Sequence, residues 1–138
     1  MNTRKILQTI GLMAIAVISS CTSNKSDIIL EAPEDGAMFF TGYDVHFVAE
    51  IMDELGVKSY SIKIADKRGK TDRREGAMPF RYNRTWELHN EKEVHLHHHE
   101  IIIPGRAAPG DYRFTISCIN GAGNKSKVSQ NIRIVNPR

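Results

Sequence analysis

The stretch that decides the fold is Ala108–Val135, which reads APGDYRFTISCINGAGNKSKVSQNIRIV. It holds two turn signals, Pro109-Gly110-Asp111 and the Asn- and Gly-rich run at 120–124, in residue types that tight turns favour. Between and after these turns, apolar and polar residues alternate, which indicates strands with one buried face. The residues predicted to face inward are Tyr112, Phe114, Ile116, Cys118, Val128, Ile132 and Ile134. The stretch therefore predicts a β-hairpin at the C-terminal end of the domain.

The same alternation continues upstream, with no sustained helical stripe. It predicts strands at 28–32, 43–52, 57–65 and 93–103, separated by turns such as 34–36 and 53–56. The charged segment 66–75 is expected to be a solvated loop, with an anion or nucleic-acid patch as the alternative. The less regular segment 78–90 is expected to cover one edge of the core. The upstream residues predicted to face inward are Val45, Phe47, Ala49, Ile51, Tyr60, Ile62 and Ile64. About seven short strands with frequent turns predict an all-β, immunoglobulin-like sandwich.

The N-terminus has the pattern of a lipoprotein signal. A basic start at residues 1–5 precedes an apolar run at 6–18, and small residues then lead into Cys21. The run is shorter than the roughly 20 apolar residues that a membrane span needs. We therefore predict a signal peptide at 1–20, a lipidated Cys21 with a tether at 21–27, and one domain at 28–138. The alternative is an ordinary signal peptide that leaves Cys21 as a plain thiol.

Charge and cysteine content narrow the partners. Removal of the signal takes away Arg4 and Lys5 and no acid, so the net charge falls from +3 to +1. This balance argues against nucleic-acid binding. If Cys21 carries lipid, Cys118 has no disulfide partner, and its place in an alternating strand predicts a small buried side chain. The expected bilayer contact is the acylated Cys21 itself.

Three segments resemble bacterial Ig-like and cadherin-like modules: Ile101–Pro104, Ala108–Phe114 and Asn120–Asn124. With the signal and the histidines described below, the chain is similar to an uncharacterised family of Bacteroides-type Ig-like lipoproteins. The resemblance implies a fold and an address in the cell envelope, and no reaction. Tyr112, which opens a strand after a Gly-Asp turn, is placed to cap backbone as a tyrosine corner does. Asn120 stands where the cadherin-like turn has an acid, which argues against a calcium site of that kind.

A histidine run, His95-Leu96-His97-His98-His99, is the constellation closest to chemistry. On a regular strand, 95, 97 and 99 share a face, with neighbouring members about 6.6 Å apart. Val94 and Leu96 are predicted to face inward, yet Ile101 and Ile103, of opposite parity, also look inward. A β-bulge between 97 and 100 resolves this change of phase and would gather His97 and His99 outward.

His46 is the natural third ligand, because the second and fifth strands of an Ig-like sandwich are antiparallel neighbours. The hypothesis is a zinc, copper or nickel site. Its residues are His46, His97 and His99, with His95 and His98 as further candidates and Glu50 and Glu100 as oxygen ligands or supporting partners. Two alternatives stay open: ordinary polar surface histidines, and a pH-sensitive or partner-binding face.

The sequence thus favours a membrane-anchored binding module over an enzyme. It shows no HExxH motif, no nucleophile elbow and no paired carboxylates in a defined cleft. The expected partners are the bilayer and a protein, with an apolar surface near Trp86 as the protein-binding candidate, and metal binding is the alternative function. Thr22 follows Cys21 where inner-membrane lipoproteins often have aspartate, which favours an outer membrane, facing either the periplasm or the outside.

Overall fold

The computed structural model describes residues 25–71 and 74–138, with the side chain of His99 excepted. The predicted signal peptide, Cys21 and the first part of the predicted tether lie outside the described residues. The described chain forms six strands: β1 Asp27–Ala32, β2 Ala37–Phe40, β3 Asp44–Thr71, β4 Tyr82–Ile102, β5 Gly110–Asn120 and β6 Lys125–Val135. No described segment is a helix long and apolar enough to cross a membrane.

Two of these strands are long and bend, so that each belongs to two layers. The first half of β3 pairs with β1 and with the end of β4, and its second half pairs with β5 and with the start of β4. The register shifts between Met52 and Val57 mark the bend in β3. The first layer is therefore β1 with one half each of β3 and β4. The second layer is the other halves, β5, β6 and β2.

This arrangement confirms the predicted sandwich of about seven antiparallel strands. The five strands with antiparallel pairing, β1, β3, β4, β5 and β6, give seven segments because β3 and β4 each contribute one segment to each layer. The short β2 adds a parallel pairing with β6 at the edge of the second layer.

The bends of β3 and β4 lie against each other and against the β5–β6 turn. Gly56 has a φ of +82°, and a Cβ built there would lie 2.4 Å from the Asn90 carbonyl oxygen. A Cβ on Gly121 would lie 2.5 Å from the Leu55 carbonyl oxygen, and the Gly121 N–H donates to the Gly56 carbonyl at 2.9 Å. At position 56, no residue type other than glycine can adopt this backbone conformation and also allow this close approach.

The core lies between the two layers and confirms the predicted inward residues almost completely. The rings of Phe47 and Phe114, from opposite layers, have centroids 5.8 Å apart. Val128 is only partly buried. The predicted residues that are buried are Val45, Phe47, Ala49, Ile51, Tyr60, Ile62, Ile64, Val94, Leu96, Ile101, Ile103, Tyr112, Phe114, Ile116, Cys118, Ile132 and Ile134. Burial raises the pKa of the Cys118 thiol, as expected for a thiol in apolar surroundings.

Three predicted boundaries are wrong. The chain stays in strand β3 through the expected turn at 53–56 and on to Thr71, where 66–71 was expected to be loop. Within this charged segment Asp66 pairs with Tyr112 and Thr71 pairs with Gly110, with a register shift between the two pairs. Most of 78–90 is likewise regular strand, because β4 begins at Tyr82, and β2 was not predicted at all.

Two polar clusters fix the ends of the domain. The Tyr112 hydroxyl donates to the Ala108 carbonyl at 2.6 Å and accepts from the Phe80 N–H at 3.1 Å. At the opposite end, Asp53 accepts from the Ser26 hydroxyl at 2.6 Å and from the Asn120 amide at 3.1 Å. The second cluster attaches the first described residues of the chain to the bend of β3 and the β5–β6 turn.

Candidate functional site

The outer face of the first layer carries His46, His95 and His97 beside a bulge in β4. Val45 pairs with Ile101 and Phe47 with His98, so His46 alone lies opposite two residues of β4, 99 and 100. This extra residue is the predicted bulge, and it lies within the predicted interval. It returns Ile101 to the core while Leu96 stays buried on the other side of the bulge.

The structure brings His46 and His97 together on this face. Their rings stack with centroids 4.8 Å apart and an interplanar angle of 20°. His97 is exposed and His46 is half-buried. The side chain of His99, the third member of the predicted site, lies outside the described part of the structure. Parallel rings direct their nitrogens alongside each other, so both rings could hold one ion only after one of them rotates.

The other two histidines of the run have different surroundings. His95 places Nδ1 3.0 Å from a Glu50 oxygen and Nε2 3.4 Å from a Glu93 oxygen, so two carboxylates hold its ring. His98 points inward, stacks on Phe47 with centroids 5.0 Å apart, and lies 3.3 Å from the Tyr60 hydroxyl. Among the described side chains, no group of three His, Cys, Asp or Glu is arranged to hold a metal ion.

Trp86 belongs to an aromatic cluster rather than to an open apolar surface. Its ring stacks on Tyr60 with centroids 4.8 Å apart, and the Arg84 guanidinium lies 4.9 Å from its centroid. Burial raises the pKa of the Tyr60 hydroxyl. The large apolar side chains that are exposed include Phe40, Tyr43 and Ile102, which lie at the end of the domain away from β1's first residue.

The outer face of the second layer forms an open groove of about 740 Å³ that sequence reasoning missed. Its basic residues are Lys63, Lys67, Arg68, Arg113, Lys125 and Lys127. Its hydroxyl residues are Ser61, Thr85, Thr115, Ser117 and Ser129. Alternation alone places several of these side chains outward, but only the strand order shows that they share one surface.

The comparisons with known proteins identify a domain family whose function is unknown. A family model described as a domain of unknown function (DUF4625) matches residues 17–135. No curated protein matches the chain. Among solved structures, the chain is similar to one from the fibronectin(III)-like modules of Clostridium thermocellum CbhA, with 11% sequence identity and a TM-score of 0.46. That similarity covers 80% of this chain and 47% of the other, so the chain spans about half the length of that structure.

Proposed function

We propose that this chain, which belongs to the DUF4625 family of domains of unknown function, is an envelope lipoprotein. In this proposal its Ig-like domain binds a partner and catalyses no reaction. The anchor is acylated Cys21, and the membrane is the outer one in a cell that has two.

The position of the first strand carries the anchoring part of the proposal. Ser26 is bonded to Asp53 through its hydroxyl and to the Ser126 hydroxyl through its N–H at 3.0 Å. Only four residues, 22–25, lie between Cys21 and Ser26, so the five residue steps from one to the other reach about 18 Å at most. A lipid on Cys21 would hold this end of the domain close to the bilayer. The exposed Phe40, Tyr43 and Ile102 at the opposite end would then point away from it.

The exposed surfaces support binding over catalysis. The polar side chains on the two outer sheet faces stand on rigid strands and open directly to solvent. Enzyme sites are instead mostly enclosed clefts in which a few polar groups converge. Burial also raises the pKa of Cys118, which keeps the thiol protonated, and the fold buries this side chain in the core. Cys118 is therefore a packing residue rather than a nucleophile.

The two cysteines provide a matched test of anchoring. In a bacterial host that processes lipoproteins, we expect wild-type protein and Cys118→Ala to incorporate labelled palmitate and to fractionate with membranes. Cys21→Ala should do neither, because the acyl chains supply the membrane affinity. Incorporation of label by Cys21→Ala, or soluble and unlabelled wild-type protein, would contradict the proposed anchor.

Metal binding is a second candidate, favoured by one observation: the fold brings His46 from β3 against His97 from β4. We propose that zinc or copper, or nickel, binds there with His99 completing the ligand set. Glu50 already holds the neighbouring His95, so it acts as a supporting partner of the face rather than as a ligand.

Calorimetric titration of zinc and copper into the detergent-solubilised protein tests this candidate. We expect about one ion per chain at micromolar affinity or tighter, and loss of that binding in both His46→Ala/His97→Ala and His97→Ala/His99→Ala. His89→Ala, an exposed histidine away from the bulge, serves as the control and should bind normally. Binding that survives either double substitution would exclude these ligands, and absence of binding in the wild type would end the metal hypothesis.

A further inference from the structure

The groove on the second layer concentrates positive charge that the whole chain does not have. After removal of the predicted signal the net charge is +1, yet six basic residues line this one surface. Among the described residues that line it, Asp66 is the only acid, and no ion pair between described residues engages any of the six. Like charges held this way repel one another, and an anionic ligand would relieve that repulsion.

The register of the strands places four of these cations one after another along the sheet, and these four residues are called the track below. Arg113 pairs with Ala65, Lys63 with Thr115, Lys127 with Ser117 and Lys125 with Ile119. These pairs occupy four successive outward-facing rows of the sheet. Because alternate residues of a strand are about 6.8 Å apart, the track extends about 20 Å along the strands. One phosphate ion could contact only a small part of it, so the geometry fits a linear ligand with repeated negative charges.

Hydroxyl groups fill the positions between the cations. The Ser61 and Thr85 hydroxyls lie 2.7 Å apart, and those of Thr115 and Ser129 lie 2.8 Å apart, each pair across two neighbouring strands. A hydroxyl both donates and accepts hydrogen bonds. The groove therefore offers charge-assisted contacts to anionic groups and neutral hydrogen bonds to hydroxyl groups beside them.

We propose that this groove binds a linear anionic polysaccharide carrying sulfate or carboxylate groups, whose alternating charged and hydroxyl groups match this lining. Single-stranded nucleic acid is a poorer fit, because proteins bind it with aromatic rings that stack on bases and the described lining has no aromatic residue. An anionic membrane is also a poorer fit. The only apolar side chain in the described lining is that of Ala65, which is too small to insert into a bilayer.

This proposal deepens the proposed binding function by naming its ligand, and it is tested separately from the anchor. Binding is measured by calorimetry on the full, detergent-solubilised protein with heparin oligosaccharides as the sulfated probe and polygalacturonate oligosaccharides as the carboxylated probe. Neutral dextran is the uncharged comparison. We expect saturable binding to at least one anionic probe, none to dextran, and an affinity that falls steeply with added salt.

Charge reversal supplies the matched variants. Lys63→Glu/Lys127→Glu changes two cations of the track, and Lys58→Glu/Lys92→Glu makes the same change in net charge at exposed lysines outside the groove. We expect the first pair to weaken binding at least about tenfold and to reduce the salt dependence, and the second to weaken it about twofold at most. Thermal unfolding of each variant separates lost binding from lost folding.

Three outcomes would overturn the proposal. Equal weakening by both variant pairs would mean diffuse attraction to the whole surface. Failure of both anionic probes at low salt would mean that the groove is not a polysaccharide site, while the palmitate result on Cys21 would still stand. Tighter binding to single-stranded oligonucleotides or to phosphatidylglycerol vesicles than to either polysaccharide would assign the groove to that other ligand.

Discussion

The two outer faces of the sandwich differ in how their residues are spread along the chain. On the first layer, four histidines lie within five consecutive residues, yet the strand turns His98 inward and two carboxylates hold His95. On the second layer, the groove collects its cations from β3, β5 and β6, and its most distant members are about sixty residues apart. The contiguous histidine run is evident in the sequence, but the strand points its successive side chains to opposite faces. The dispersed cations of the groove share one surface only because neighbouring strands align them.

The largest expected effect comes from breaking the bend that both faces share. Gly56→Ala should lower the free energy of unfolding by on the order of 3 kcal/mol, because the new Cβ is strained at positive φ and overlaps the Asn90 carbonyl. Both faces should then lose binding together, since β3 contributes to each. Urea unfolding measures the loss.

Gly69→Ala is the control for that substitution. Gly69 also has a positive φ, of +70°, but nothing lies within 4 Å of the built Cβ, so we expect a loss of only about 1 kcal/mol. Equal losses at the two glycines would show that backbone strain alone acts, and that the packing of the two bends contributes little.

Burial and strand identity were predictable, and the layer that each segment joins was not. Period-two alternation assigned Tyr60, Ile62 and Ile64 to the core correctly, because one apolar face has to be buried. The same alternation could not show that β3 continues through 53–56, since Asp53 and Gly56 are turn residues by type. A bend between layers uses those residues for the same backbone freedom that a hairpin uses.

The candidate sites were predictable to different degrees for the same reason. Parity before and after the histidine run located the bulge between residues 97 and 100, because two core-facing sets of opposite phase need one extra residue between them. The strand order of an Ig-like sandwich, rather than parity, predicted His46 to lie opposite this run, and the His46 ring stacks on that of His97. The predicted hairpin turn at 120–124 already brings Ser117 opposite Lys127, but nothing in the sequence pairs Lys63 with Thr115, because that pairing joins strands that are not consecutive in the chain. Sites assembled across strands that are not consecutive in the chain are therefore hidden from the sequence pattern.

The next largest effect should weaken the fold while sparing both faces. Tyr112→Phe removes the hydroxyl that bridges the Ala108 carbonyl and the Phe80 N–H in a fully buried position. We expect a loss of about 1–3 kcal/mol, because two buried backbone groups lose their partner. Tyr43→Phe, at a tyrosine that is 60% exposed, should change stability by less than about 0.5 kcal/mol. Metal and polysaccharide affinities that fall in Tyr112→Phe at a temperature where it is folded would contradict this separation.

A smaller effect depends on acid. Burial acts to raise the pKa of Asp53, but hydrogen bonds from Ser26, the Leu55 N–H and Asn120 outweigh it and lower the pKa from the ordinary 3.8. A lowered pKa in the folded state stabilises the protein above the unfolded value, and that stabilisation is lost as pH falls through the folded value. Wild-type stability should therefore decline below about pH 4.

Asp53→Asn tests the assignment of that decline. The variant should be less stable than wild type by about 0.5–1 kcal/mol at pH 7 and should lose less on acidification, so that the two stabilities approach each other at a pH below 3.8. Urea unfolding at both pH values gives the comparison. Because the Asp53 cluster lies at the end of the domain where the two layers meet, Asp53→Asn should affect ligand binding at the two outer faces equally. Parallel acid losses in the two proteins would move the acid-sensitive group elsewhere.

The smallest expected change in stability separates the two faces most cleanly. Thr115→Val keeps the shape of the side chain and removes the hydroxyl that lies 2.8 Å from Ser129. Cross-strand pairs of this kind contribute roughly 0.2–1 kcal/mol, and a β-branched replacement favours the strand, so stability should change by less than about 0.5 kcal/mol.

Affinity for the anionic polysaccharide should fall about two- to threefold in Thr115→Val, because one neutral hydrogen bond is lost while every cation remains. Zinc or copper affinity should not change, since Thr115 lies on the layer opposite His46 and His97. A loss of metal binding would show that the two faces are coupled through the core. An unchanged polysaccharide affinity together with lower stability would show that the hydroxyl pairs serve the sheet and that the cations act alone on the ligand.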